Sequence, residues 1–234
     1  MVDALKVTWQ SLKDLWDELV ILIMLNVVWG LSLLLAFAPL FLLGSADLGL
    51  ALVLSLLFSI PIPIVSGALC FVTNQIAHER AVGWDTFVTG LRLYWRKSLV
   101  VAFINLVVLI LIVGNLWFYA FYLEGDWTIL AVAAWILLSL YWAITQIYWF
   151  PMLLELEDEK VLLALRNALS LVLVSPGFSL VLAAVLLVLT ILCIGLTIPL
   201  PLFMAVLLLL IINRATIHRI AVIRAKYEAR QEEE

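Results

Sequence analysis

The chain has 234 residues, of which 66% are hydrophobic and 13% charged, with a formal net charge of −4 and a mean hydropathy of +1.20. A soluble domain is roughly 45–50% apolar and about 25% charged, so this chain has too little polar surface to cover a water-soluble globule. Ten Gly and two Cys also exclude collagen-like and disulfide-scaffold classes, which leaves an integral membrane protein with little mass outside the bilayer.

Residues 1–18 form an amphipathic stretch bearing Asp3, Lys6, Lys13, Asp14, Asp17 and Glu18, which predicts an interfacial helix. Its net-negative start and the long apolar run behind it argue against a cleaved secretory signal, although Ala36-Phe37-Ala38 resembles a cleavage site. Stretches free of Asp, Glu, Lys and Arg then run 19–46, 48–77, 98–123, 127–154 and 167–213. About 20 helical residues cross a hydrocarbon core of about 30 Å. Each of the first four runs therefore predicts one span. The last is too long for one helix, and Gly195 with Pro199-Leu200-Pro201 predicts a hairpin with spans near 178–197 and 201–217. The predicted class is all-α and polytopic, with six transmembrane helices; five is the alternative if the final segment lies partly in the interface. Barrel strands would alternate in and out, whereas these runs are apolar on every side.

Within this frame, Pro61 and Pro63 remove amide donors from span two and predict a kink or break. In residues 84–97, Trp84, Phe87, Val88, Leu91, Tyr94 and Trp95 recur at helical spacing, which predicts a second interfacial helix whose aromatics face the acyl boundary or pack against the other repeats at the cytoplasmic face. Trp84, Arg92, Trp95, Arg96 and Lys97 are its candidate anchors, the basic ones close to anionic lipid. Span four carries Trp135, Trp142 and Trp149 at seven-residue spacing, a candidate aromatic association face. Leu165–Val174 predicts a third interfacial helix, with Ser175-Pro176-Gly177 as its elbow.

Trp16 and Asn26 have the same separation as Trp95 and Asn105, and the long and short connections alternate. Both features predict a pseudo-threefold repeat of interfacial helix, span, short turn and span over about 1–77, 84–154 and 160–217. Residues 1–217 form a single transmembrane domain and 218–234 a charged cytoplasmic tail. The short outer connections 44–47, 124–126 and 198–200 hold Asp47, Glu124 and Asp126, while all 13 Lys and Arg lie on the other side. By the positive-inside rule both termini are expected in the cytoplasm.

The charge-free runs contain no His either, so no ionisable Asp, Glu, Lys, Arg or His lies deep within a span, which disfavours proton relays, voltage sensors and intramembrane catalysis. A protein that is not an enzyme is expected. Cys70 and Cys193 stand apart, so neither metal site nor disulfide is expected, and nothing calls for a cofactor or nucleic acid. Asn26, Asn105, Asn115 and Gln146 are candidates either for helix–helix hydrogen bonds or for a neutral polar lining.

Several segments together resemble the YesL-like family of small bacterial membrane proteins. They are Leu25-Asn26-Val27-Val28-Trp29, the stretch from Glu79 through Ser98, Tyr148-Trp149-Phe150-Pro151-Met152-Leu153-Leu154-Glu155, Leu165-Arg166-Asn167-Ala168-Leu169, and Pro176. The resemblance implies a multi-span protein of the bacterial inner membrane and an association with carbohydrate uptake; it brings no catalytic residues.

The expected function is that of a non-enzymatic accessory or scaffold in contact with the bilayer and with a membrane-protein partner or further copies of itself. The alternative is a facilitative transporter or channel for an uncharged or amphipathic solute. A minor third reading is a lipid-modifying enzyme using His78, Glu79 and Asp85 at the cytoplasmic face.

Overall fold

The computed structural model describes residues 2–122, 125, 127–196 and 199–232. Glu124 and Asp126 of the second outer connection, and Ile198 of the third, lie outside them. The described residues form helices α1 (Val2–Asp17), α2 (Leu19–Leu43), α3 (Leu48–Phe58), α4 (Pro61–Ala77), α5 (Trp84–Phe121), α6 (Trp127–Glu155), α7 (Val161–Val174), α8 (Pro176–Leu196) and α9 (Pro199–Glu232). Six segments are long and apolar enough to span a membrane: α2, α3 with α4, α5, α6, α8 and α9. The protein is an all-α polytopic membrane protein.

Local chemistry explains where these helices start and stop. Asp47 caps α3 by accepting from the Leu50 amide at 3.0 Å. The second span breaks at Ser59-Ile60, immediately before Pro61. Pro61 and Pro63 cannot donate to the carbonyls of Leu57 and Ser59, and the preceding amides take over: Ile60 N donates to Leu57 O at 3.3 Å and Ile62 N to Ser59 O at 3.0 Å. The backbone therefore tightens rather than leaving two carbonyls bare in an apolar medium. Pro199-Leu200-Pro201 forms the first turn of α9 and not a separate loop, a position where the missing proline amide is no loss.

The amphipathic segments differ from their expected form. Residues 84–97 are not a separate interfacial helix but the start of the 38-residue α5. Arg96 and Lys97 are good helix formers and no Gly or Pro follows them until Gly114, so nothing ends the helix at the charged elbow. This segment also turns Phe87, Gly90 and Tyr94 into the bundle, leaving Trp84 and Trp95 exposed. Helix α7 runs back along α6. Trp149 Nε1 donates to Val161 O and Tyr141 OH to Leu169 O, contacts that move in opposite directions along the two chains. Helix α1 is separate and meets α2 at Glu18, whose backbone leaves the helical region. It buries Ala4, Val7, Ser11 and Leu15, packs chiefly on α9, and exposes Leu5, Trp9 and Trp16.

The principal packings follow one pattern. The start of α5 lies on α4, α7 on α6, and α1 on α9, while α4, α6 and α9 pack on one another. Gly67 and Gly90 permit the close approach of α4 and α5. A Cβ on Gly67 would collide with Ser98 Oγ, and one on Gly90 would lie 3.2 Å from the Ala68 backbone. The core includes Leu22, Leu69, Val72, Trp149, Leu153, Leu182, Leu210 and Ile211. By contrast, the apolar windows of α5 and α6 are only 6% and 11% buried, so most of their side chains face outward toward lipid.

Aromatic residues mark both ends of this apolar surface. Trp117, Phe118, Tyr119, Tyr122 and Trp127 cluster at one end. Exposed Trp9, Trp16, Trp84 and Trp95 lie at the other, with Arg96 4.9 Å over the Trp95 ring. Lys97 and Tyr119 are separated along α5 by about 33 Å at roughly 1.5 Å per residue, close to a hydrocarbon thickness of about 30 Å.

Candidate functional site

The most connected polar group in the bundle lies where α4, α6 and α9 meet at the basic end. Each helix contributes a polar side chain at or near the limit of its apolar run. Asn74 of α4 donates through Nδ2 to Glu155 Oε1 of α6 at 2.7 Å and lies 3.4 Å from Asn213 Oδ1 of α9. His78 Nε2 sits 2.9 Å from the same Glu155 oxygen. Asn213 Nδ2 faces Thr73 Oγ1 at 2.9 Å, Leu209 O at 3.0 Å and Cys70 O at 3.1 Å, more acceptors than its two hydrogens serve at once.

This network grades from wet to dry. The His78 side chain is 35% exposed and that of Glu155 19%, whereas Thr73, Asn74 and Asn213 are buried. Glu155 ends α6, where the helix dipole disfavours a carboxylate. The Asn74 amide and the imidazole supply the hydrogen bonds that offset this placement. Chemically the group is a hydrogen-bonded clamp between three spans. Among the described residues no cluster of His, Cys, Asp and Glu could hold a metal ion.

Three further clamps fasten the same end. The α6–α7 loop places Glu159 at a left-handed φ of 44°, and its carboxylate accepts from Tyr94 OH at 2.7 Å and pairs with Lys97. Burial alone would raise the Glu159 carboxyl, but the hydrogen bonds from Lys97 and Tyr94, with the Lys97 charge, outweigh it and hold the group below the ordinary carboxylate value. Asp14 pairs with Arg214, joining α1 to α9, and Arg219 donates to Ser175 while covering the Phe178 ring.

Beside the clamp lies a cavity of about 300 Å³, lined by Asp14, Asp17, Glu18, Glu79, Arg80 and Arg214 among others. Glu79 has φ 58°, and its amide with that of Arg80 closes the end of α4 onto Ile76 O and Gln75 O. Glycine is the usual residue for such a closure.

The candidate amides from the sequence do not meet one another. Asn26 is buried and its Oδ1 accepts from the α9 amides of Ala205 at 2.9 Å and Val206 at 3.3 Å. Asn105 accepts from Trp142 Nε1 at 3.2 Å, Gln146 donates to Trp142 O, and Asn115 donates to its own helix at Leu111 O. Trp149 is buried and stacks edge-on against Trp142 at 5.7 Å, so these two indoles pack within the chain; Trp135 is only partly covered. Of the candidate anchors, Trp84, Arg92, Trp95 and Arg96 are exposed, whereas Lys97 is occupied by Glu159. Pro61 and Pro63 stand at the break between α3 and α4.

Comparison with known proteins assigns nothing: no protein family, curated protein or solved structure matches the chain.

Asn213 and Glu155 were missed as a pair by sequence reasoning. Asn213 is the last residue before Arg214 and Glu155 the first charge after span four, so both read as ordinary span ends. The signal available was a polar residue at the same end of each of three spans.

Proposed function

We propose that the protein is a non-enzymatic accessory or scaffold of another membrane complex. The observation that carries this reading is the placement of Asn26, Asn105, Asn115 and Gln146. Each is engaged in its own helix or in a helix–helix contact, and they do not converge on one lining. The broad apolar faces of α3, α5 and α6 add support, because they offer area for packing against foreign spans. The packing of α1, the start of α5 and α7 on α9, α4 and α6 favours a threefold repeat of the kind expected from the loop lengths. In this reading the membrane is the bacterial inner membrane, the basic end and both termini face the cytoplasm, and the YesL-like resemblance points to a carbohydrate-uptake partner. Purification of the tagged chain from native membranes in polymer nanodiscs tests it. A stable partner in fixed ratio is expected; a chain that runs alone in nanodiscs and in several mild detergents sinks the proposal.

The second reading, a facilitative transporter of an uncharged solute, is favoured by one feature, the discontinuous span at Pro61-Ile62-Pro63. Liposome flux across a panel of sugars and amphiphiles decides between the two. Flux above that of empty liposomes selects the transporter.

A further inference from the structure

An open groove of about 630 Å³ separates α7 from the part of α9 that continues past its apolar run. Its floor is apolar and comes from three helices: Met152 of α6, Leu171 and Val174 of α7, and Ile220 and Ile223 of α9. Its rim carries Arg224, Tyr227 and Glu228, one stripe of α9 at helical spacing. Met152 lies in the last turn of α6, so the floor begins where the apolar span ends and the rim projects toward water.

The rim is chemically unfinished. Arg224 and Glu228 are both exposed, and among the described residues neither has an ion-pair or hydrogen-bond partner. They stand four residues apart, about 6 Å along the axis, yet do not pair with each other. One groove mouth thus presents a cation and an anion side by side above an apolar floor.

We infer that this groove binds a glycerophospholipid whose headgroup carries a primary ammonium. An acyl chain covers the floor, the phosphodiester faces the guanidinium of Arg224, and the ammonium faces the carboxylate of Glu228. Guanidinium is suited to phosphate because its fork donates two parallel hydrogen bonds. Tyr227, between them in sequence, offers a hydroxyl to the phosphate. A choline headgroup has no N–H to give Glu228, and a glycerol headgroup has no ammonium to face that carboxylate, which then opposes the net negative charge of the lipid. The inference does not depend on whether the protein serves a partner complex or a solute.

Native mass spectrometry of the full chain, released from nanodiscs of equimolar phosphatidylethanolamine, phosphatidylcholine and phosphatidylglycerol with matched acyl chains, reads the retained lipid. Phosphatidylethanolamine is expected to be retained about tenfold over the others, the size of effect for one charge-assisted contact. Arg224→Gln lowers its retention by about the same factor. Glu228→Gln leaves phospholipid bound but abolishes the preference for ethanolamine over choline. Both side chains are exposed, so an unchanged melting temperature in lipid-free detergent confirms that the variants fold. Equal retention of the three headgroups overturns the inference, as does wild-type retention by Arg224→Gln. A second copy or a partner helix cross-linking through cysteines placed at Ile220 and Ile223 also overturns it.

Discussion

The Asn74 side-chain amide donates to the Glu155 carboxylate at 2.7 Å across the α4–α6 contact, and His78 lies 2.9 Å from the same oxygen. One carboxylate thus serves Asn74 of α4 and His78, the residue that caps that helix, while Asn74 also faces Asn213 of α9. The relationship makes Glu155 a structural member of the bundle, although it sits at the margin of an apolar run.

Replacing that carboxylate separates acceptor capacity from charge. Glu155→Leu removes the acceptor of the shorter of the two hydrogen bonds made by the buried Asn74 amide and is expected to destabilise the protein by about 1–3 kcal/mol, the penalty for an unmade buried hydrogen bond. Glu155→Gln keeps a carbonyl acceptor and should lose less. Thermal unfolding in one detergent, with all three proteins side by side, checks the order. Equal melting temperatures for wild type and Glu155→Leu would show that the clamp contributes nothing.

The α4–α5 contact depends on absent side chains. At Gly67 a Cβ would strike Ser98 Oγ and lie 2.9 Å from Phe150 Cζ, whereas at Gly114 it would meet nothing within 4 Å. Gly67→Ala is therefore expected to cost about 1–3 kcal/mol through overpacking. Gly114→Ala, which improves helix propensity in open surroundings, should not lower stability. The pair is compared by melting temperature and by resistance to proteolysis in detergent.

The spans were legible in the sequence because the bilayer imposes one crude requirement, about 20 apolar residues without charge. The break before Pro61 was legible for a similarly local reason, the missing amides of two prolines. Continuity through Arg96 and Lys97 was not, because a charged pair marks the end of an apolar run without marking the end of a helix. Half of the clamp lay further out of reach. Asn74 and Asn213 are 139 positions apart, and nothing local to either residue states that α4 and α9 are neighbours. The amides that did stand out, Asn26 and Asn105, were conspicuous by apolar surroundings, yet each bonds a different helix. Isolation in an apolar run identified residues that need a partner without identifying the partner.

Topology can be tested with little background, because Cys70 and Cys193 are both buried free thiols. Single cysteines at Ser45→Cys, in the first outer connection, and Ala229→Cys, near the end of α9, report the two faces. With the basic end in the cytoplasm, a membrane-impermeant maleimide added to intact spheroplasts labels the cysteine at position 45. It reaches the one at position 229 only after permeabilisation. The reverse pattern would invert the proposed orientation.

The Glu159 clamp makes a prediction about acid. Its carboxyl is held below the ordinary value of 4.5 by Lys97 and Tyr94, despite partial burial. In the unfolded chain the carboxyl takes up its proton first as pH falls. In the folded protein it does so only at lower pH, when the Lys97 pairing is lost. The contribution of Glu159 is therefore fully present above about pH 4.5, the ordinary value for this group, and declines as pH falls through the folded value. Its side chain is 38% exposed, so solvent screening keeps the effect modest. Glu159→Gln should melt below wild type at neutral pH, and the gap should narrow steadily on acidification below that point. Melting curves at closely spaced pH values measure it, with Lys160→Gln as the control because, among the described residues, Lys160 pairs only with exposed Asp158. A gap independent of pH would mean that Glu159 stabilises the α6–α7 loop through its turn geometry and not through its charge.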